Sequence, residues 1–192
     1  MQIYSVRAGP GLLLTLLLLS FGFAQEFTLQ DSTVTYSARD AQSSWQGRAP
    51  LSSLTLNAEP GGLRVNATLE LGAFDSGSFI RDGNARFTVF EVNRYPTATL
   101  SGMLPLAPEM LAPAPEPATR TAQFSGQLTL HGVTRDLSFP VTLTRSGVEA
   151  RAQGSFAVQL SDFEMRRPSL FGVVVDDRVE ISVSLTGIFG GE

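Results

Sequence analysis

The feature that most constrains the fold is a period-two alternation of apolar and polar residues, sustained in long runs beyond Gln25. In residues 179–185 every second residue is apolar and the residues between are polar; residues 63–71, 137–143 and 148–160 follow the same pattern with few exceptions. Successive side chains of a strand point to opposite faces, so these runs predict strands with one apolar face and one face in water. That pattern is typical of antiparallel sheet. No long run with a helical period follows residue 25, and the sequence therefore predicts an all-β fold.

The spacing of the turns predicts about eight strands. Turn signals stand at Glu59–Gly62, at His131–Gly132 and at Ser146–Gly147. The predicted strands lie near residues 26–38, 47–58, 62–73, 97–106, 120–131, 134–145, 148–161 and 174–188. A sheet with one apolar face must stack on another sheet or close on itself. Closure with eight strands leaves an interior that is either packed solid or able to hold one ligand.

Two segments interrupt the alternation. Residues 75–95, called the lid segment below, mix polar and aromatic residues and are predicted to form a short helix or lid between strands. Residues 105–117 contain five prolines, which a sheet interior does not tolerate. That stretch is predicted to be an extended surface loop within a hairpin, and a spacer is favoured over a binding motif.

The first 24 residues have the pattern of a secretory signal peptide. Arg7 precedes an apolar stretch of about 13 residues, shorter than the ~20 that a spanning helix needs. Gly22 and Ala24 are small residues at the positions that a signal peptidase requires, which predicts cleavage before Gln25. The residue after the cut is not a cysteine, so a lipid anchor is not expected. The domain is predicted to span residues 25–192, to be periplasmic or secreted, and to have no stable membrane anchor after cleavage.

Composition argues against several classes of activity. The chain has no cysteine and one histidine, His131, which excludes thiol nucleophiles and multi-histidine metal sites. No Gly-x-Ser-x-Gly elbow accompanies His131, which is predicted to be a turn residue bonding backbone. A formal charge of −4 argues against nucleic acid as a partner. The sequence predicts neither an enzyme nor a bound metal or cofactor.

The lid segment concentrates aromatic and cationic residues. Arg81 beside Asp82 predicts an ion pair that fixes the lid, and the alternative is that Arg81 or Arg86 meets an anionic head group. We expect Arg81 to be structural and Arg86 to be the ligand contact. Phe87 and Phe90 are candidates for the wall or mouth of a pore.

Several short motifs, in order along the chain, resemble the YceI-like family of secreted bacterial proteins. Phe27–Tyr36 is similar to the opening strand of the family, and Trp45–Gly47 to the element that follows it in one branch. The central signature and the closing hairpins are matched by Ser76-Gly77, Arg81-Asp82, Tyr95–Thr99, Gly126–Thr134, Asp162-Phe163 and Val175–Ile181. The chain departs from the family near its end, where residues 159–165 keep only the Asp-Phe and the Met of the usual motif.

The resemblance implies an extended lipocalin-like antiparallel barrel with a hydrophobic pore, in which some family members bind a polyisoprenoid chain. It favours a carrier of a long apolar molecule, an isoprenoid lipid or a quinone. The alternatives are a structural or stress-related interaction protein with a self-filled barrel and, less favoured, an enzyme; a homodimer is left open. The candidate ligand-binding residues are Arg81, Arg86, Phe87, Phe90, Phe156, Val158, Leu160, Phe163, Val183 and Leu185.

Overall fold

The computed structural model describes residues 27–106, 114–170 and 173–189. The predicted signal peptide, residues 1–24, lies outside these ranges, as does residue 25, the predicted start of the domain. Within them the chain forms an all-β fold with one large antiparallel sheet and a short helical segment, as the alternation predicted. No helix of the described part is long and apolar enough to cross a bilayer.

Nine strands form the large sheet, in the spatial order β2-β1-β11-β8-β7-β6-β5-β4-β3, and two short strands, β9 and β10, pair as a separate ribbon. The strands are β1 (Phe27–Arg39), β2 (Ser44–Ala49), β3 (Ser53–Glu59), β4 (Gly62–Glu70), β5 (Thr97–Leu104), β6 (Ala114–Leu130), β7 (Val133–Gly147), β8 (Glu149–Gln159), β9 (Ser169–Leu170), β10 (Val173–Val174) and β11 (Arg178–Phe189).

The connection between β2 and β3 shows that the sheet curls into a barrel. These strands are the two edges of the sheet, and a flat sheet of nine strands would separate them by about 38 Å. Only residues 50–52 join them, and that linker reaches at most about 14 Å. The seam is bridged by two backbone hydrogen bonds between Arg48 of β2 and Asp75, which follows β4. The result is the predicted lipocalin-like barrel.

The strand count exceeds the predicted eight because the expected strand at 47–58 is two strands. Ala49 ends its pairing with β1, and the chain crosses the seam before Ser53 pairs with β4. The inward positions also change parity here, from residues 47 and 49 to residues 54 and 56.

The Pro-rich segment is partly strand, which corrects the prediction of a loop over 105–117. Residues 107–113 lie outside the described part, whereas β6 begins at Ala114 and pairs with β7 from there. The register shifts between Ala114 and Ala118, so Pro115 and Pro117 lie in this irregularity. There β6 pairs with β7 alone, because β5 joins it only from Ser125 onward. Proline is tolerated at such an edge because no ladder hydrogen bond is lost.

The lid segment contains a short helix, α1 (Phe79–Asn84), followed by a π-helical turn over Ala85–Val89. The helix begins at Ser78, whose hydroxyl accepts a hydrogen bond from the backbone N–H of Arg81. The segment packs on the hairpin turn between β6 and β7, where the Tyr95 and His131 rings lie 4.3 Å apart. It therefore covers one end of the barrel, called the lid end below.

Candidate functional site

The barrel encloses an apolar cavity of about 390 Å³. Every strand of the nine-stranded sheet contributes inward side chains to its wall, because the alternation directs one face of each strand to the interior. One inward residue from each of the nine strands illustrates this: Tyr36, Trp45, Leu56, Val65, Leu100, Leu128, Val141, Phe156 and Val183. The cavity wall is thus formed by side chains from all nine strands of the sheet.

The cavity runs between two apolar clusters. One lies at the lid end and includes Val34, Leu71 and Phe74; the other lies at the far end and includes Leu63, Phe124 and Leu143. Both clusters contribute to the wall. The interior is therefore elongated along the strands, the longest of which are about 40 Å or more at ~3.3 Å per residue.

Several wall residues point inward and yet are only half-buried. Phe156, Ile181, Val183 and Leu185 all belong to this group. In a solidly packed barrel such side chains would be covered by their neighbours. Here they retain accessible surface because they face the cavity.

Four polar wall residues lie at the lid end: Asp40, Ser43, Arg81 and Asn84. Of these, Ser43 and Arg81 are exposed to solvent, so the cavity meets the surface here. The other polar wall residues are Thr68, Thr99 and Gln153, on strands β4, β5 and β8. A molecule in this cavity would have its apolar part among aliphatic and aromatic side chains and its polar end near the four residues at the lid end.

Arg81 and Asp82 were predicted to form an ion pair, and in the structure both side chains bond to Ser76. The buried Asp82 carboxylate accepts hydrogen bonds from the backbone N–H of Ser76 at 3.0 Å and from its hydroxyl at 2.6 Å. Arg81 donates through Nε to the same hydroxyl and through Nη2 to the Ser76 carbonyl, both at 3.4 Å. Asp82 is held by Ser76 because that residue reaches it with two donors, while the Arg81 side chain stays exposed at the mouth.

Tyr36 connects this network to the cavity wall. Burial raises the pKa of its phenol, and the Asp82 carboxylate raises it further, while hydrogen bonds with the side chains of Ser76 and Trp45 act in the opposite direction. The Tyr36 ring also packs edge-on against Phe74, with centroids 5.1 Å apart. A neutral Tyr36 is thus part of the inner surface below the lid.

The structure places the two arginines of the lid segment in different surroundings. Arg81 lies in the cavity wall, whereas Arg86 is half-buried outside it and donates from Nη2 to the backbone carbonyl of Phe74 at 3.2 Å. This bond ties the lid to the segment that follows β4. The sequence did not indicate this difference between Arg81 and Arg86, because both lie in the same non-strand segment.

The apolar candidates divide into two groups. Those in the wall are Phe90, Phe156, Val158, Leu160, Val183 and Leu185. Phe163 is instead buried in the lid-end cluster behind the wall, where its carbonyl oxygen lies 3.1 Å from Nδ1 of His131. Phe87 was expected at the wall or mouth and is on the outer surface, 65% exposed. Its ring lies outward because the helical turn directs Val89 inward. Contact of any of these residues with a ligand stays a prediction.

Sequence reasoning missed several wall residues. Trp45, Ile80 and Asn84 lie in the wall at the lid end. Trp45 has the same parity as Gly47 and Ala49, which are buried on the inner side of β2, and this parity was the available signal. Ile80 and Asn84 are four residues apart, a spacing that puts them on one face of α1.

Comparisons with known proteins agree with this architecture. A family model described as YceI-like domain matches residues 26–187. None of the curated proteins matches the chain.

Several solved structures share the fold. A polyisoprenoid binding domain from Saccharophagus degradans, described as implicated in plant cell wall breakdown, aligns with a TM-score of 0.71 at 17% identity, over 86% of this chain and 99% of its own. BcnA from Burkholderia cenocepacia aligns with a TM-score of 0.65 at 20% identity, over 81% and 95%. The YCEI protein of Campylobacter jejuni aligns with a TM-score of 0.52 at 13% identity, over all of both chains.

At these identities the structural matches show the fold, and the family model, matched over most of the chain, shows the relationship. The chain belongs to the YceI-like family.

Proposed function

We propose that the protein carries one long apolar molecule, an isoprenoid-type lipid or the isoprenoid tail of a quinone, inside the barrel. The observation that carries this proposal is the 390 Å³ cavity with an apolar wall built from all nine strands of the sheet. Small-molecule sites commonly have volumes of about 300–1,000 Å³. An apolar cavity of about 150 Å³ in another protein stays dry and binds benzene. By that comparison this cavity has room for a much larger apolar group.

The shape of the cavity favours a chain over a compact ligand. Its wall extends from Leu104 and Leu106 at the far end to Ile80 and Arg81 at the lid end. A chain lying along the strands would contact aliphatic and aromatic side chains throughout. A polyisoprenoid is named as the ligand of the domain from Saccharophagus degradans, which shares this fold.

The lid end supplies the polar groups that a head group requires. An arginine has five N–H donors, and the bonds from Arg81 to Ser76 use two of them. The remaining donors are available to phosphate, carboxylate or quinone oxygens at the mouth. Arg81 is therefore the proposed head-group contact, and Arg86 is the residue that holds the lid.

The proposal includes the setting in which the protein acts. A cleaved signal peptide would place the carrier in the periplasm or outside the cell, where a long apolar lipid needs an apolar container to cross water. We propose binding and transport without a chemical step, because the groups at the mouth are few and the wall is apolar.

Lipid extraction from the purified protein, followed by mass spectrometry, tests the proposal. Protein purified from its exported form should release a long-chain isoprenoid lipid or quinone at about one molecule per chain, or should take up added octaprenol from detergent micelles. If it releases no lipid and takes up no octaprenol, the barrel is not a carrier and the structural role with a self-filled barrel is favoured.

A further inference from the structure

The outer face of the lid carries an apolar surface that the cavity does not account for. Large apolar side chains with high exposure in the described residues are Phe79 at 91%, Ile80 at 69%, Phe87 at 65%, Val148 and Val174. Three of these five fall between residues 79 and 87. Clustering of this kind differs from the scattered single residues that are normal on a protein surface.

The three residues are exposed on the lid. Phe79 and Ile80 begin α1, and Phe87 lies in the π-helical turn that follows it. Asp82 and Val89 are the buried residues of the same helix and turn. The lid therefore packs through one side and presents an apolar surface to solvent on the other.

This outer surface is continuous with the mouth of the cavity. Ile80 belongs to both, because it is exposed and also contributes to the cavity wall. Its neighbour Arg81 is exposed in the same wall and keeps donors that its bonds to Ser76 do not use. Apolar side chains beside an arginine match the two layers of a bilayer surface, with the rings among acyl chains and the guanidinium at the phosphates.

We propose that Phe79, Ile80 and Phe87 form a docking surface that contacts a phospholipid bilayer while the cavity is loaded or emptied. The inference rests on the proposed function and extends it, because a long apolar chain that left a bilayer through water would expose its surface along the way. Docking at the mouth lets the chain pass from the acyl layer along Ile80 into the barrel. The contact itself is peripheral, because the six residues of α1 and the turn after it are too short to span a bilayer.

The test compares uptake of octaprenol from two sources, phosphatidylcholine vesicles and detergent micelles. The variant Phe79→Ser/Phe87→Ser removes both exposed rings, and Phe79→Leu/Phe87→Leu keeps the surface apolar. Val148→Ser is the matched control, since Val148 is exposed at the β7–β8 turn, at the opposite end of β7 from the lid.

The serine variant should partition to the vesicles at least about tenfold more weakly and take up octaprenol from them more slowly by a similar factor. Its loading from micelles should equal that of the wild type. The leucine variant should stay within about threefold of the wild type, and Val148→Ser should match it.

Three results would overturn the inference, and they are distinguishable. Uptake from vesicles at the wild-type rate by the serine variant, with normal loading from micelles, contradicts the docking surface alone. A wild-type dimer that the serine variant converts to a monomer in sedimentation equilibrium shows that the surface binds a second copy. Failure of the wild type to load from either source contradicts the proposed function itself.

Discussion

Phe156→Trp separates a barrel with room for a ligand from one that its own side chains fill. Phe156 lies in the cavity wall on β8, half-buried, with its ring 4.7 Å from that of Phe139. The indole adds a second ring directed into the interior. A cavity of about 390 Å³ exceeds the ~150 Å³ that accommodates a whole benzene in another protein.

The extra ring should therefore change the free energy of unfolding by less than about 1 kcal/mol. In a solidly packed barrel the same substitution would be overpacked and would destabilise by about 1–3 kcal/mol. When a ligand fills the cavity, the added ring occupies space that the ligand needs, so its unfavourable free energy lowers binding affinity instead of stability. Affinity for the chain should then fall by about 5- to 140-fold, taking ~1.4 kcal/mol per factor of ten.

Urea unfolding followed by circular dichroism measures the stability, and extraction of bound octaprenol measures the loading. Ser155→Trp is the matched control, because Ser155 precedes Phe156 on β8 and faces outward. It should leave octaprenol loading unchanged. Loss of 1–3 kcal/mol in Phe156→Trp together with wild-type loading would refute the reasoning.

Four further variants test contacts of the described residues. Gly126→Ala should destabilise by about 1–3 kcal/mol in thermal unfolding, because a Cβ there would overlap the backbone of β5. Burial raises the pKa of the Tyr36 phenol. Its contribution to the free energy of unfolding should therefore be complete below about pH 10 and should be lost as the pH rises through the raised pKa. Urea unfolding of Tyr36→Phe at alkaline pH should lack this loss. Arg86→Ala should lower stability by about 0.5–1.5 kcal/mol through loss of its bond to a backbone carbonyl. Arg81→Ala should weaken retention of a polyprenyl phosphate and change the free energy of unfolding by less than about 0.5 kcal/mol. If both arginine variants retain this lipid as well as the wild type does, the head group does not contact the lid segment.

The sheet could be predicted because its information is local. Period-two alternation fixes which side chains face the interior, and the turn residues at 59–62, 131–132 and 146–147 fix where the chain reverses. All three hairpins form at those positions. The family motifs then selected the barrel over a stacked pair of sheets, which alternation alone left open.

The break at residues 50–52 has no glycine, but it contains Pro50, which cannot donate to a strand ladder and was passed over. A second signal is the change in parity between Ala49 and Leu54, which a search for unbroken alternation also misses. A parity change within an apparent strand indicates that the chain has moved to a new partner strand, as it does here at the seam of the barrel.

The lid could be predicted as a non-strand segment, but the orientation of its side chains could not. Arg81 and Arg86 look alike in the sequence, and their difference arises from tertiary contacts with Ser76 and Phe74. The outward position of Phe87 likewise depends on the π-helical turn, which changes the angular spacing after α1. On the strands, parity alone indicates which side chains face inward, whereas on the lid the sequence gives no comparable signal.

Fluorescence of Trp45 tests the central claim most directly. It is the chain's single tryptophan and lies in the cavity wall at the lid end. Titration of delipidated protein with a brominated long-chain lipid should quench Trp45 in a saturable manner at about one lipid per chain, and unlabelled octaprenol should restore the signal. Quenching that does not saturate, or that octaprenol does not reverse, would contradict a chain bound within the barrel.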